Sequence, residues 1–324
     1  MSEPRPFDDI LDLIQKMPPL DKAAQDHIQS QFEDLSCPKY PIGITEDIVT
    51  WLGAWQSKPV PSIDRPLVAV FAGTHGVAED VTGRDTVKAA KLRIKSLTEG
   101  SAGVRGMSAS LNAAFKVYEM GVEHPCEDIR ETASLSERDC AASIAFGMEV
   151  VAEGADIIAL GNAGFGSATA AAAIARGLYG GRVEYWAGGE GELAERRIKA
   201  VETAAWTQRE DLKTPLDVLR CFGGRDIAGL VGAIIAARHQ SIPVVLDGYV
   251  VCAAAAVLHK IDPNSISHCI AGHLSSEPAH GALLDRIGKS PLLDLKIGMG
   301  DGTGATFALG TLRLSCEALK TLSS

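Results

Sequence analysis

Leu67-Val-Ala-Val-Phe-Ala72 is a short, unbroken apolar run that stops at Gly73. A run of this length and composition reads as a strand buried on both faces, the condition of strands in a parallel sheet. The same texture returns at Asp156-Ile-Ile-Ala-Leu160, at Ile242-Pro-Val-Val-Leu246 and, less cleanly, at Ile266-Ser-His-Cys-Ile-Ala271. Helical stretches separate these runs, most clearly over Ala170 to Leu178 and Ala228 to Arg238. Strands alternating with helices predict an α/β fold built on a parallel sheet with right-handed crossovers.

Upstream of Pro66 the texture differs. Phe7 to Met17 carries apolar residues at 7, 10, 11, 13 and 14, a helical spacing that ends at Pro18-Pro19. A second helix is expected over 20–34, then a polar, Pro-broken loop from Leu35 to Gly43, then a helix bearing Trp51 and Trp55. The chain has no internal repeat or low-complexity tract, and at 324 residues it is long enough for one large domain with a small appendage.

Composition removes several function classes. The net charge is −10 and the basic residues form only short pairs such as Arg196-Arg197, so a nucleic-acid backbone is repelled. No segment runs to eighteen apolar residues, and the N-terminus has early acids instead of an apolar leader, so neither membrane insertion nor export is expected. The seven cysteines (37, 126, 140, 221, 252, 269 and 316) include no C-x-x-C pair, which predicts reduced thiols in the cytoplasm.

Parallel sheets bind ligands beyond the C-terminal ends of their strands, so the loops after the apolar runs are where chemistry is expected. The first holds His75 in Gly73-Thr-His-Gly-Val77. The second, Gly161-Asn-Ala-Gly-Phe-Gly-Ser167, leads into an Ala-rich helix; its glycines suit an anion cradle at a helix N-terminus and equally suit tight strand-to-helix packing. The third holds Asp247 and Gly248. The fourth is His273-Leu-Ser-Ser-Glu-Pro-Ala-His280, where Pro278 breaks the helix that would align a metal-binding set, so no metal is expected. Further on, Met299-Gly-Asp-Gly-Thr-Gly-Ala305 places Asp301 in a glycine-rich turn, as a ligand-facing carboxylate or as a cap of the following helix.

These segments, with Gly223-Gly-Arg-Asp-Ile227, occur in the order and spacing of one family. The chain resembles the nicotinate-nucleotide:dimethylbenzimidazole phosphoribosyltransferases from about residue 7 to its end, and Ser136-Glu-Arg-Asp-Cys-Ala-Ala142 and Phe146-Gly-Met148 resemble its alphaproteobacterial branch. The resemblance implies a Rossmann-like domain over 61–305, a small helical domain from 1–60 with part of 306–324, and a homodimer, with pairing to a homologue as the alternative. It also implies transfer of the phosphoribosyl group of nicotinate mononucleotide to 5,6-dimethylbenzimidazole or a related azole base, in assembly of the lower ligand of cobalamin, with no metal or cofactor. Asp301 aligns with the family's catalytic base. His75, Gly161, Gly164, Gly166, Ser167, Thr169, Arg197, Asp247, Ser275, Ser276, Gly300, Gly302, Thr303 and Gly304 align with substrate-binding positions.

The departures are specific. The family's G-E-G-T-G-A has Asp301 for its Glu, which withdraws the charge by one methylene, about 1.5 Å. Its second acid, in G-E-M-G-I-G-N-T-T, is Asn162 here, and its base-contacting Ser and Gln align with Gly83 and Lys91. The phosphate loop after Trp186 shortens to Ala187-Gly-Gly-Glu190, and the lysine beyond it becomes Arg197. Two readings follow: an active transferase acting on 5,6-dimethylbenzimidazole or a related base, or a weakened paralogue that binds ligand or partners an active homologue.

Overall fold

The computed structural model describes residues 5–34 and 43–322, so the expected loop lies outside the described residues except for Gly43. Six strands form one sheet: β1 (Pro66–Ala72), β2 (Ala114–Glu119), β3 (Ile157–Asn162), β4 (Val244–Leu246), β5 (Cys269–Leu274) and β6 (Pro291–Asp294). Their spatial order is β2-β1-β3-β4-β5-β6 and every pairing is parallel. Across the central pair, Val68 lies opposite Ala159 and Phe71 opposite Asn162.

The helices, in chain order, begin with α1 (Asp8–Gln15), α2 (Lys22–Asp34), α3 (Ile44–Gln56), α4 (Ala78–Thr82), α5 (Thr86–Thr98), α6 (Gly103–Ser110), α7 (Glu137–Gly147) and α8 (Ser167–Tyr179). They continue with α9 (Val183–Ala187), α10 (Glu192–Thr207), α11 (Pro215–Phe222), α12 (Arg225–His239), α13 (Tyr249–Ile261), α14 (His280–Arg286) and α15 (Thr303–Leu322). The period-two geometry of a strand sorts its side chains into two layers. Leu67, Ala69 and Phe71 of β1 join the core formed with α7, α8, α11, α12 and α13. Val68, Val70 and Ala72 join the core formed with α3, α5 and α15.

The first layer is unusually close-packed because its facing residues are small. A Cβ added at Gly147 of α7 would stand 1.9 Å from the Gly229 carbonyl oxygen of α12, and one added at Gly232 would stand 1.9 Å from that of Ile144. Only glycine lets these backbones approach so nearly. The N-terminal helices divide between the layers. Phe7, Ile10 and Ile14 of the α1 segment join the first core, where Arg238 Nε donates to the Pro18 carbonyl at 2.7 Å. Ile28, Ile48, Val49 and Leu52 of α2 and α3 join the second core beside Ala308, Leu309 and Leu312 of α15.

The sheet differs from the sequence expectation in three places. Strands β2 and β6 were not expected: both are edge strands, partly exposed, and lack the fully apolar run that marks a central one. The fourth run becomes a strand only at Cys269, because Pro263–Ile266 forms a 3-10 turn capped by Asp262, whose Oδ1 accepts from Asn264 N at 2.9 Å. His273 consequently lies on β5 and not in the loop beyond it. From β1 the chain passes to β2 on one side and returns to β3 on the other, which makes the gap between β1 and β3 the switch point of the sheet.

Candidate active site

The loops at this switch point are tied together through backbone groups. Asn162 N–H, at the end of β3, donates to the Gly300 carbonyl at 2.6 Å. A Cβ on Gly161 would lie 2.4 Å from Gly302 N and 2.6 Å from the Asp301 carbonyl carbon, so the loop rests directly on the strand. From β4, the fully buried Asp247 carboxylate accepts from Ala305 N at 2.7 Å and from Gly302 N at 3.2 Å, gripping the first turn of α15 at its electropositive end. His273 Nε2 stands 3.5 Å from Asp247 Oδ1 with its ring against Gly304, whose hydrogen leaves it room. Asp247 and His273 therefore touch the Asp301 loop and hold it in place.

Asp301 itself is 3% exposed. Its Oδ1 accepts from the Thr303 hydroxyl at 2.6 Å and from Thr303 N at 3.2 Å, an Asx turn that fixes the carboxylate. Both of these bonds use one oxygen. The capping and ligand-facing readings of Asp301 are compatible for that reason: Oδ1 shapes the turn and Oδ2 remains.

Beside this loop lies a second buried network, centred on Asp226, which the sequence reading quoted only within Gly223-Gly-Arg-Asp-Ile227 and gave no role. Asp226, the first-turn acid of α12, is fully buried; its Oδ1 is 3.1 Å from His75 Nε2, and its Oδ2 accepts from Ser167 Oγ at 2.7 Å and Asn162 Nδ2 at 2.8 Å. Burial pushes the Asp226 carboxyl up, but the charge and hydrogen bond of His75, with those from Asn162 and Ser167, outweigh it and hold the group down at about 2. Asn162 also accepts from Gly164 N at 3.0 Å, and Ser167 Oγ lies 3.2 Å from His75 Nε2. Gly166 turns the chain into α8 at φ 96°, and Thr169 is buried in that helix's first turn. The signal that could have found Asp226 was an acid just after Gly223-Gly224 at a helix start.

Above the network is a narrow cleft of about 100 Å³, with Asn162, Gly164, Ser167, Gly248, Tyr249, Ser275, Glu277, Met299 and Gly300 among its lining residues. The N-termini of α8 and α13 both face it, presenting unpaired backbone N–H groups. Ser275 N–H donates to His280 Nδ1 at 3.0 Å, which places the ring proton on Nε2, 3.3 Å from Cys252 Sγ. Burial, aided by the neighbouring His273, pushes His280 down to about 4 and keeps it neutral. Ser276 is exposed at the outer rim.

Arg197 is placed differently from a free phosphate ligand. Its Nε donates to the Ala187 carbonyl at 3.0 Å, its Nη2 to the Gly188 carbonyl at 2.8 Å, and both terminal nitrogens lie 3.2 Å from Glu277 Oε2. It pins the shortened loop to the β5 side of the cleft. Lys91 points away from the cleft and pairs with Glu123 at 3.3 Å. The cation that does reach the cleft is Arg93, two residues on, which donates to the Met299 carbonyl and faces the charges of Asp301 and Asp247. Arg93 stands among Lys88, Lys91 and Lys95 on α5, and no punctuated motif marks it out in the sequence. Among the described residues no group of three or more His, Cys, Asp or Glu side chains is arranged to hold a metal, and no helix is long and apolar enough to cross a membrane.

A ligand cleft at the switch point of a parallel sheet, faced by two helix N-termini and edged by Met299 and Gly300 of the Asp301 loop, suits a phosphoribosyltransferase, and the family model described as Phosphoribosyltransferase matches residues 17–324. Among curated proteins, the nicotinate-nucleotide–dimethylbenzimidazole phosphoribosyltransferase of Methylocella silvestris is 43% identical over 317 residues, 97% of this chain and 93% of its own. That of Brucella canis is 44% identical over 313 residues, 95% of this chain and 92% of its own. The crystal structure of the Thermus thermophilus enzyme of the same name superposes with a TM-score of 0.84 at 29% identity, covering 93% of this chain and 96% of that one. The chain belongs to the nicotinate-nucleotide–dimethylbenzimidazole phosphoribosyltransferase family.

Proposed function

We propose that this protein transfers the phosphoribosyl group of nicotinate mononucleotide to 5,6-dimethylbenzimidazole or a related azole, giving α-ribazole 5′-phosphate and nicotinate for assembly of the cobalamin lower ligand. The observation that carries this reading is the Asp301 carboxylate, held at the switch point by Thr303 through one oxygen while its loop is fixed to β3 and to Asp247. In the reaction one azole nitrogen attacks the anomeric carbon and the bond from that carbon to the pyridinium nitrogen breaks. The bonding pair returns to that ring, and nicotinate leaves with a neutral pyridine nitrogen. Asp301 takes the proton from the other azole nitrogen, a contribution of about 10²- to 10⁴-fold. The paired N-termini of α8 and α13, with Gly161, Gly164, Gly166, Ser167 and Thr169 at the first of them, suit the 5′-phosphate. Arg197, committed to two carbonyls and Glu277, supports the loop beside it.

Incubating the purified protein with nicotinate mononucleotide and azole acceptors, and following nicotinate release and the ribazole product by mass, tests the proposal. Turnover with at least one acceptor is expected. The Arg197 contacts favour the second reading, a catalytically weakened paralogue that binds ligand or partners an active homologue, and that reading gains if every acceptor leaves the mononucleotide intact. The protein is further proposed to act as a homodimer in the cytoplasm, where its six described cysteines, all free and buried, would remain reduced. Packing of α2 and α3 with α15 supports the small helical unit proposed for 1–60 with part of 306–324, although α1 packs in the opposite core.

A further inference from the structure

Next to the narrow cleft, and sharing Arg93, Gly298 and Met299 with it as lining, is a larger, open cavity of about 700 Å³ beside α5. Its size is that of a small-molecule site, whereas the cleft alone is too small for a mononucleotide and a base together. Its apolar walls are Leu92, Phe165 and Met299, and its polar lining is strongly cationic, with Arg84, Lys88 and Arg93. The acid on this wall, Asp85, is occupied as the N-cap of α5, accepting from Lys88 N at 2.8 Å. Among the described residues, none of the three cations has a carboxylate within ion-pair distance. Arg84 and Lys88 are exposed and can be solvated, but Arg93 is partly enclosed, and burial pulls its guanidinium down against the charges of Asp301 and Asp247. A partly enclosed cation beside an apolar wall favours a ligand that is flat and apolar on its faces and negative at one edge.

Resting on the transferase reading, we propose that the acceptor of this chain is an anionic azole, a benzimidazole or related ring bearing a carboxylate, seated in the α5 cavity with its carboxylate on Arg93 and its reacting nitrogens toward Asp301. The nucleotide phosphate does not need these cations, because the N-termini of α8 and α13 already converge on the cleft. The transfer itself is unchanged: the ring nitrogen replaces nicotinate at the anomeric carbon, Asp301 takes the azole proton, and the carboxylate remains a spectator.

The test compares benzimidazole-5-carboxylate with 5,6-dimethylbenzimidazole on the full chain, by kcat/KM for the acceptor and by calorimetric binding with nicotinate mononucleotide present. The carboxylate is expected to be favoured by about 10-fold or more, roughly 1.4 kcal/mol. The preference should shrink in Arg93→Gln, return in part in Arg93→Lys, and weaken in Lys88→Gln, whose exposed side chain puts folding at no risk. Equal or weaker use and binding of the carboxylate overturns the proposal. A rise in KM for nicotinate mononucleotide in Arg93→Gln, with the acceptor preference intact, also overturns it by assigning the cation to the nucleotide. Preferential binding of the carboxylate without nicotinate release upholds the acceptor site and overturns the transferase reading instead.

Discussion

Asp226 binds three partners, His75 after β1 and Asn162 and Ser167 at the two ends of the β3–α8 connection, and its charge is what they share. A carboxyl that titrates at about 2 in the fold and about 4 in the unfolded chain contributes on the order of 2 kcal/mol to stability. Because the folded value is the depressed one, this contribution is complete above about pH 4 and is lost as pH falls toward 2. Replacing Asp226 by Asn removes that dependence and the carboxylate that His75, Asn162 and Ser167 contact. Chemical denaturation followed from pH 7 to pH 2 should show Asp226→Asn less stable by about 2 kcal/mol at neutral pH and converging on the wild type near pH 2; parallel curves would show that the charge is not what the network uses. At this scale the sequence singled out Asp301, His75 and Asp247 because they stand in punctuated motifs, and the structure places all three buried at the switch point. It was silent on Arg93, whose role comes from the direction in which one turn of α5 faces, and on the hydrogen bonds that commit Arg197 to Ala187 and Gly188.

Among the elements, the end of β3 and the Asp301 loop behave as one piece. Gly161 is where they touch, and backbone stands on both sides of the missing side chain, so neither can yield to a methyl group. Gly161→Ala should therefore displace Asp301 by a fraction of an ångström to about 1 Å, and a shift of that size costs roughly 10²-fold in rate. Nicotinate release is expected to fall by that order while the protein still folds and binds mononucleotide. An unchanged rate would mean that the loop is not positioned by this contact. The central strands were readable because burial on both faces leaves them uniformly apolar. Strands β2 and β6 were not, because at an edge a half-exposed alternation is shared with many loops, and the start of β5 was displaced by a turn that Pro263 and Asp262 set locally.

The whole molecule is a parallel sheet between two helical layers, and that much follows from the alternation of apolar runs and helices along the chain. The distribution of α1 to one layer and of α2 and α3 to the other was not legible, because the sequence shows which helix face is apolar but not which core receives it. The proposed homodimer is checked by light scattering on the eluting protein, which should report twice the 34.1 kDa of one chain; a species of one chain mass across micromolar concentrations would exclude it. The proposed chemistry depends more than anything else on the carboxylate in the Met299–Ala305 turn. Its most direct test is the turnover of nicotinate mononucleotide with saturating acceptor by the wild type and by Asp301→Ala. Loss of about 10²- to 10⁴-fold in kcat, with KM for the mononucleotide little changed, is the predicted result. Turnover by Asp301→Ala at the wild-type rate would contradict the assignment of Asp301 as the base.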